Sequence, residues 1–205
     1  MANVAYYTEV MDDRAEDLQA MLDILKDVRA NYTLIGGIAV GFHGYQRATS
    51  DVDMLVSSRF LKKIANAARE DGYVVRMFPD MIRIWPPNSS PDKDESIADF
   101  VAMEANPVLR AAFNEADTAS VLGQRANIIR LGPLCALKFH SAMSQSRLIE
   151  DKLQDVADIG HIIKIDFTKR DEAAGKRIAA LSYPGAGDEF TELLDDLHHG
   201  RRIRI

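Results

Sequence analysis

Asp51 and Asp53 flank a single valine and lead into Met54-Leu55-Val56, so an apolar strand begins with carboxylates at alternate positions. Side chains on a strand alternate faces, which turns both carboxylates to one side. Their Cα atoms would stand ~6.6 Å apart. Two parallel carboxylates at that spacing can share a hard divalent cation, or hold two of them about 3.5–4 Å apart. Beside an apolar run they are costly unless a metal or Arg47 offsets their charge. The other reading is a solvated strand start with two surface aspartates. Upstream, Gly36-Gly37 follows an apolar strand and precedes a short helix. Backbone N–H groups at such a turn can bind phosphate, and glycine lets the phosphate come close; a plain tight turn is the alternative. Arg47 lies between the two motifs, where it can bind phosphate or neutralise Asp51.

The combination over residues 36–56 resembles the signature of the DNA polymerase beta-like nucleotidyltransferase superfamily, in the form carried by minimal bacterial members, including abortive-infection toxin-type proteins. The resemblance covers residues 30–104 and departs from the commonest pattern at Gly37, where many members have serine. It implies that Gly36 and Gly37 hold the donor phosphates, that Asp51 and Asp53 bind magnesium, and that a third carboxylate on a later strand completes the site. Asp99, in Ile97-Ala98-Asp99-Phe100-Val101, is the later acid embedded among apolar residues of a strand candidate. Its expected role is a shared metal ligand and general base, or the orienting partner, for the attacking hydroxyl. An edge-strand surface acid is the plainer reading, and Glu104, at the strand end, is the reserve.

Later motifs of the same family are similar to the stretches around Lys138 and around Lys152, Asp155 and Asp158. By that match Lys138 would neutralise donor triphosphate, and Asp155 would orient a basic group or the acceptor. Alternatively these charges form a solvated helix face and pair internally. The implied activity is transfer of a nucleoside monophosphate from an NTP to an acceptor, with pyrophosphate leaving and Mg2+ or Mn2+ as cofactor. The acceptor is open: a small molecule such as an antibiotic or metabolite, a tRNA, or a protein. A toxin-type member would also have an antitoxin partner. A second reading is a binding module of the same fold, catalytically weak or inactive.

Positioning these residues requires an α/β unit. Helical periodicity marks residues 9–29, with Met11, Ala15, Leu18, Leu22 and Leu25 on one face. Strands are expected at 32–35, 51–56, 73–78, 81–85, 97–103, 119–122 and 126–131. A short helix is expected at 38–45, and another at 59–71, capped by Ser57 or Ser58 and stopped by Gly72. Asn106-Pro107 reads as a further helix start, and the polar stretch 86–95 as an exposed loop. From Pro133 the pattern is helical, broken at Pro184-Gly185 and closed at Gly200. These elements give an α/β unit followed by a helical one, and the resemblance implies the fold class α/β (α+β): a small mixed sheet flanked by helices over residues 1–131, then a helical part over 132–205 packed on it. Tyr73, Phe78 and Trp85 are assigned to the core rather than to base stacking, and His43 to a helix-end hydrogen bond.

The 205 residues are 47% hydrophobic, enough for a core without disulfides. The lone cysteine, Cys135, excludes an intramolecular disulfide and a cysteine-based zinc site, and reads as a buried hydrophobe. A net charge of −6 argues against bulk nucleic-acid coating, although the tail Arg201-Arg202-Ile203-Arg204 could touch RNA. Residues 1–13 lack the basic-then-apolar pattern of a signal peptide, and no run approaches the ~20 apolar residues of a membrane span. A cytoplasmic protein is expected. Two other Asp-x-Asp classes are disfavoured. Haloacid-dehalogenase-type phosphatases place the apolar strand before the motif, and sugar-nucleotide transferases need a complete βαβ unit ahead of it.

Overall fold

In the computed structural model, which describes residues 2–203 and side chains from Ala15 onward, the chain runs as α1 (Ala2–Asp27), β1 (Tyr32–Leu34), α2 (Gly36–Phe42), β2 (Val52–Val56), α3 (Ser58–Glu70), β3 (Val74–Met77), β4 (Met81–Trp85) and β5 (Ala98–Ala102). It continues as α4 (Pro107–Phe113), β6 (Ala116–Val121), β7 (Gln124–Ile129), α5 (Leu131–Ala142), α6 (Ile149–Asp166), α7 (Lys169–Ala179) and α8 (Ala186–His199). The inward placement of Met11 and the character of Met1 and Arg204 lie outside the described residues.

The seven strands form one mixed sheet in the order β3-β4-β5-β2-β1-β7-β6. The two strands that carry the acids lie inside the sheet, because their other residues are apolar enough to be covered on both faces. In β2, Val52, Met54, Leu55 and Val56 are fully buried, as are Ala98 and Phe100 in β5. β2 and β5 run parallel with Asp53 opposite Asp99, and β5 pairs antiparallel with β4, which sets Asp99 opposite Arg83. Directly opposed residues share a sheet face. The pairing therefore lays Asp53, Asp99 and Arg83 in one row across three strands.

Leu61, Ile64, Ala65 and Ala68 turn inward from α3, which packs against α1 and against β3, β4 and β5. α2 and α4 contact β2, and α5 contacts α2, α4, α6 and α7. Two boundaries, one helix cap and the burial of one aromatic differ from the sequence reading in instructive ways. α1 extends to Ala2, since residues 2–8 contain neither Gly nor Pro to stop it. α2 starts at Gly36, so both glycines belong to its first turn. Ser57 precedes α3 but makes no side-chain cap. Glu104 does that work: its carboxylate accepts from Ser58 N at 2.8 Å and from Ser57 Oγ at 2.7 Å. Phe78 is 44% exposed rather than buried, because it lies in the turn beyond β3, whereas Trp85 is buried and Tyr73 packs on the core. Asn106 caps α4 through Leu109 N, Cys135 is buried, and Gly200 ends α8 in the left-handed conformation. Among the described residues no helix is long and apolar enough to cross a membrane.

Candidate functional site

Asp51 sits one residue before β2, Asp53 inside it and Asp99 inside β5. One carboxylate oxygen from each lies within 4.8 Å of the others. Strand alternation brings the first two together, and the parallel register of β2 and β5 adds the third. Like charges at this spacing cannot all ionise cheaply. Burial, and then the charges of Asp51 and Asp99, push the Asp53 carboxyl up to about 7 despite the opposing pull of Lys138 and Arg47.

The Gly-Gly turn closes directly on this cluster. Gly36 has φ +66°, and a Cβ placed on it would stand 1.8 Å from Asp53 Oδ2. A Cβ on Gly37 would stand 2.2 Å from Thr49 Oγ1. Thr49 in turn reaches the Asp51 carbonyl and carboxylate, both at 3.5 Å. At Gly36 the positive φ and the closeness of Asp53 both call for glycine, and at Gly37 any side chain would force Thr49 to shift, before any phosphate is considered. The strand of the aspartates and the turn of the glycines are pressed against each other, and at Gly36 only a residue without a Cβ permits that approach.

A second set of charges lies behind the first. Arg47 grips Asp158 with two hydrogen bonds, Nε to Oδ1 at 2.8 Å and Nη2 to Oδ2 at 2.9 Å. Lys138, on α5, pairs with the same carboxylate at 2.7 Å and with Asp155 at 2.8 Å. Burial alone would raise the Asp158 carboxyl, but these partners outweigh it and hold it below the usual range. Asp158 is fully buried, Asp155 nearly so, and Gln154 adds a hydrogen bond to Asp158. Arg147, before α6, approaches Asp155 to 3.5 Å and Asp151 to 3.9 Å. The network ties the segment between the two motifs to the helices near the C-terminus.

Five of the seven sequence-nominated residues thus gather around one point: Asp51, Asp53, Asp99, Gly36 and Gly37. Arg47 and Lys138 belong to the second set of charges, both held by Asp158, with Asp155 as a further partner of Lys138. Asp155 and Asp158 pair with Lys138 rather than with Lys152. Glu104 is removed from the site by its capping role. His43 ends α2 and bonds the Ile129 carbonyl at 2.8 Å. Arg201 is engaged by Asp195 and Asp196 at the end of α8.

One residue absent from the sequence reading belongs here. Arg83 donates from Nε to Asp99 Oδ1 at 2.9 Å and from Nη2 to Oδ2 at 2.7 Å. The Asp99 side chain is 9% exposed and that of Arg83 41%. A lone cation inside the alternating run Met81-Ile82-Arg83-Ile84-Trp85 was the available signal. Its partner depends on strand register, which sequence spacing does not disclose.

No family model matches the chain, and no curated protein does. Solved structures do. The antibiotic-resistance factor ANT(2'')-Ia superposes with a TM-score of 0.56 at 11% identity, over 91% of this chain and 98% of that one. An antigenic nucleotidyltransferase-like protein from Paracoccidioides brasiliensis gives 0.52 at 13%, over 89% and 93%. The lincosamide antibiotic adenylyltransferase LnuA, solved with lincomycin bound, gives 0.50 at 15%, over 74% and 97%. The chain has the nucleotidyltransferase fold.

Proposed function

We propose that the protein is a metal-dependent nucleotidyltransferase that moves a nucleoside monophosphate from an NTP to a hydroxyl-bearing acceptor, releasing pyrophosphate. The observation that carries this reading is the convergence of Asp51, Asp53 and Asp99 against the Gly36-Gly37 turn, on a fold shared with nucleotidyltransferases. The donor set is all carboxylate oxygen, which suits Mg2+ or Mn2+. The raised Asp53 carboxyl marks a place where two further positive charges would lower the energy. The fit is therefore good on the residues present.

Asp51, Asp53 and Asp99 would hold the ion, which supplies charge neutralisation and activation of an attacking hydroxyl when bound. Asp99 orients that hydroxyl and accepts its proton at a carboxylate oxygen. Backbone N–H groups of the glycine turn face the donor phosphates, and Arg47 and Lys138 add positive potential from behind. The buried Asp158 keeps those two cations fixed, so little reorganisation is needed as charge develops. For the acceptor we favour a small molecule, in line with the antibiotic-linked neighbours, which this chain matches over nearly their whole length. A tRNA or protein acceptor, or a toxin-type role with an antitoxin partner, rests on the sequence resemblance alone.

One observation favours the second reading, a binding module with weak catalysis. The Lys138 ammonium is held by two aspartates, which leaves it less available to a triphosphate. Incubation with α-labelled NTPs, Mg2+ and a panel of hydroxyl-bearing small molecules separates the two. Label transfer with pyrophosphate release supports the enzyme. Tight NTP binding with no transfer to any small-molecule, tRNA or protein acceptor supports the module.

A further inference from the structure

Arg83 is placed by strand register rather than by chain proximity, and both of its hydrogen-bonded nitrogens are spent on Asp99. A forked guanidinium–carboxylate pair of this kind occupies the outer edge of both oxygens at once. Those oxygens belong to the same carboxylate that the metal reading requires. The row Asp53, Asp99, Arg83 thus presents one carboxylate with two claims on it, from a cation on the neighbouring strand and from the carboxylate cluster. The two ends of the pair differ in freedom. Asp99 is buried in the sheet, with its side chain 9% exposed, whereas the Arg83 side chain is 41% exposed. A forked pair of this kind is a strong one, so Arg83 exchanges only against a stronger claim on Asp99, which a divalent ion shared by three carboxylates would supply, and the half-exposed side chain regains freedom on release.

We propose that Arg83 is an exchangeable counter-ion: it neutralises Asp99 until a divalent ion binds, and its released guanidinium then takes the anionic phosphates of the nucleotide. This inference rests on the metal and nucleotide reading above and adds to it the order of events, with the ion displacing the arginine and the nucleotide capturing it. A fixed structural arginine would show a different pattern. Removing a competing positive charge favours a divalent ion, so Arg83→Gln should tighten Mn2+ binding, on the order of tenfold at a protein-like effective dielectric. The same variant should weaken nucleotide binding in saturating Mn2+, because the captured guanidinium is gone. A residue that only shaped the sheet would weaken both.

The test is a Mn2+ titration of the full chain by electron paramagnetic resonance, without nucleotide, for wild type, Arg83→Gln and Arg83→Lys, followed by ATP titration at saturating Mn2+. The expected result is tighter Mn2+ and weaker ATP in Arg83→Gln, with Arg83→Lys closer to wild type in both. Thermal melts of each variant report whether the sheet is intact. If Arg83→Gln does not fold, Arg83→Lys carries the test, because a point charge cannot keep the forked grip on Asp99 and should shift both affinities in the same opposite directions by a smaller factor. Mn2+ binding that is unchanged or weaker in a folded variant overturns the exchange and leaves the metal reading standing. No Mn2+ binding by wild type or either variant overturns both.

Discussion

Asp53→Asn should make the protein more stable in the absence of divalent ions, and the gain should depend on pH. Asp53 is pushed up to about 7, first by burial and then by Asp51 and Asp99. In the unfolded chain the same group titrates near 4. Between these values the folded chain keeps a proton that the unfolded chain has lost. Stability is therefore full below about pH 4 and is lost as pH rises through about 7. A shift of this size corresponds to roughly 4 kcal/mol as an upper bound for a single independent site. Because three acids share the charge, about 2–3 kcal/mol is the better expectation for this residue. Asparagine has the shape of aspartate and no charge, so it keeps the contact with Gly36 while removing the penalty. Urea melts of wild type and Asp53→Asn in EDTA at pH 5 and pH 8 measure the effect. The variant should be more stable by about 2–3 kcal/mol at pH 8, and by clearly less at pH 5. A variant that is less stable at pH 8, or an offset equal at both values, would refute the argument that Asp53 is held in an electrostatically strained position.

Asp158→Ala leaves the cations of Arg47 and Lys138 without their shared buried partner, and should cost about 3–5 kcal/mol in chemical denaturation. Gly37→Val places a branched side chain where Thr49 already stands; thermal melting should drop by several degrees, a loss of roughly 2–3 kcal/mol from overpacking. On the proposed nucleotidyltransferase reading, which gives Asp99 a role in the transition state, Asp99→Asn should lower the rate of nucleotidyl transfer about a hundredfold or more while the far-ultraviolet spectrum stays unchanged.

Much of the site was legible because it depends on local rules. Alternation at the start of β2 turns Asp51 and Asp53 to one face, and the family resemblance, which implies a third carboxylate on a later strand, points to Asp99 as the acid embedded among apolar residues. The reason for the glycines was only half legible. Sequence suggests that Gly37 makes room for phosphate, whereas its neighbour is Thr49, twelve residues on and folded back by a loop with no periodic signal. Arg83 and the pairing of Arg47 with Asp158 were hidden for a common cause. The first rests on the β4–β5 register and the second on a contact across 111 residues. Charged residues advertise that a partner is needed, not which partner is supplied. Glu104 illustrates the converse: an acid at a strand end is drawn to the nearest unsatisfied N–H groups, at the start of α3, rather than to the acidic cluster. Boundary differences in α1 and α2 follow from weak stop signals and from glycine being tolerated in a first helical turn.

The central claim is that Asp51, Asp53 and Asp99 form a site for a divalent cation. Calorimetric titration with Mg2+ at pH 7, in two buffers of different ionisation enthalpy, tests it most directly. A cation that replaces the proton on a carboxyl titrating at about 7 must release a fraction of a proton on binding. The account predicts saturable Mg2+ binding by wild type, a buffer-dependent heat that reports this release, and loss of both in Asp53→Asn. Equal Mg2+ affinity in wild type and Asp53→Asn, or binding with no proton released, would contradict it.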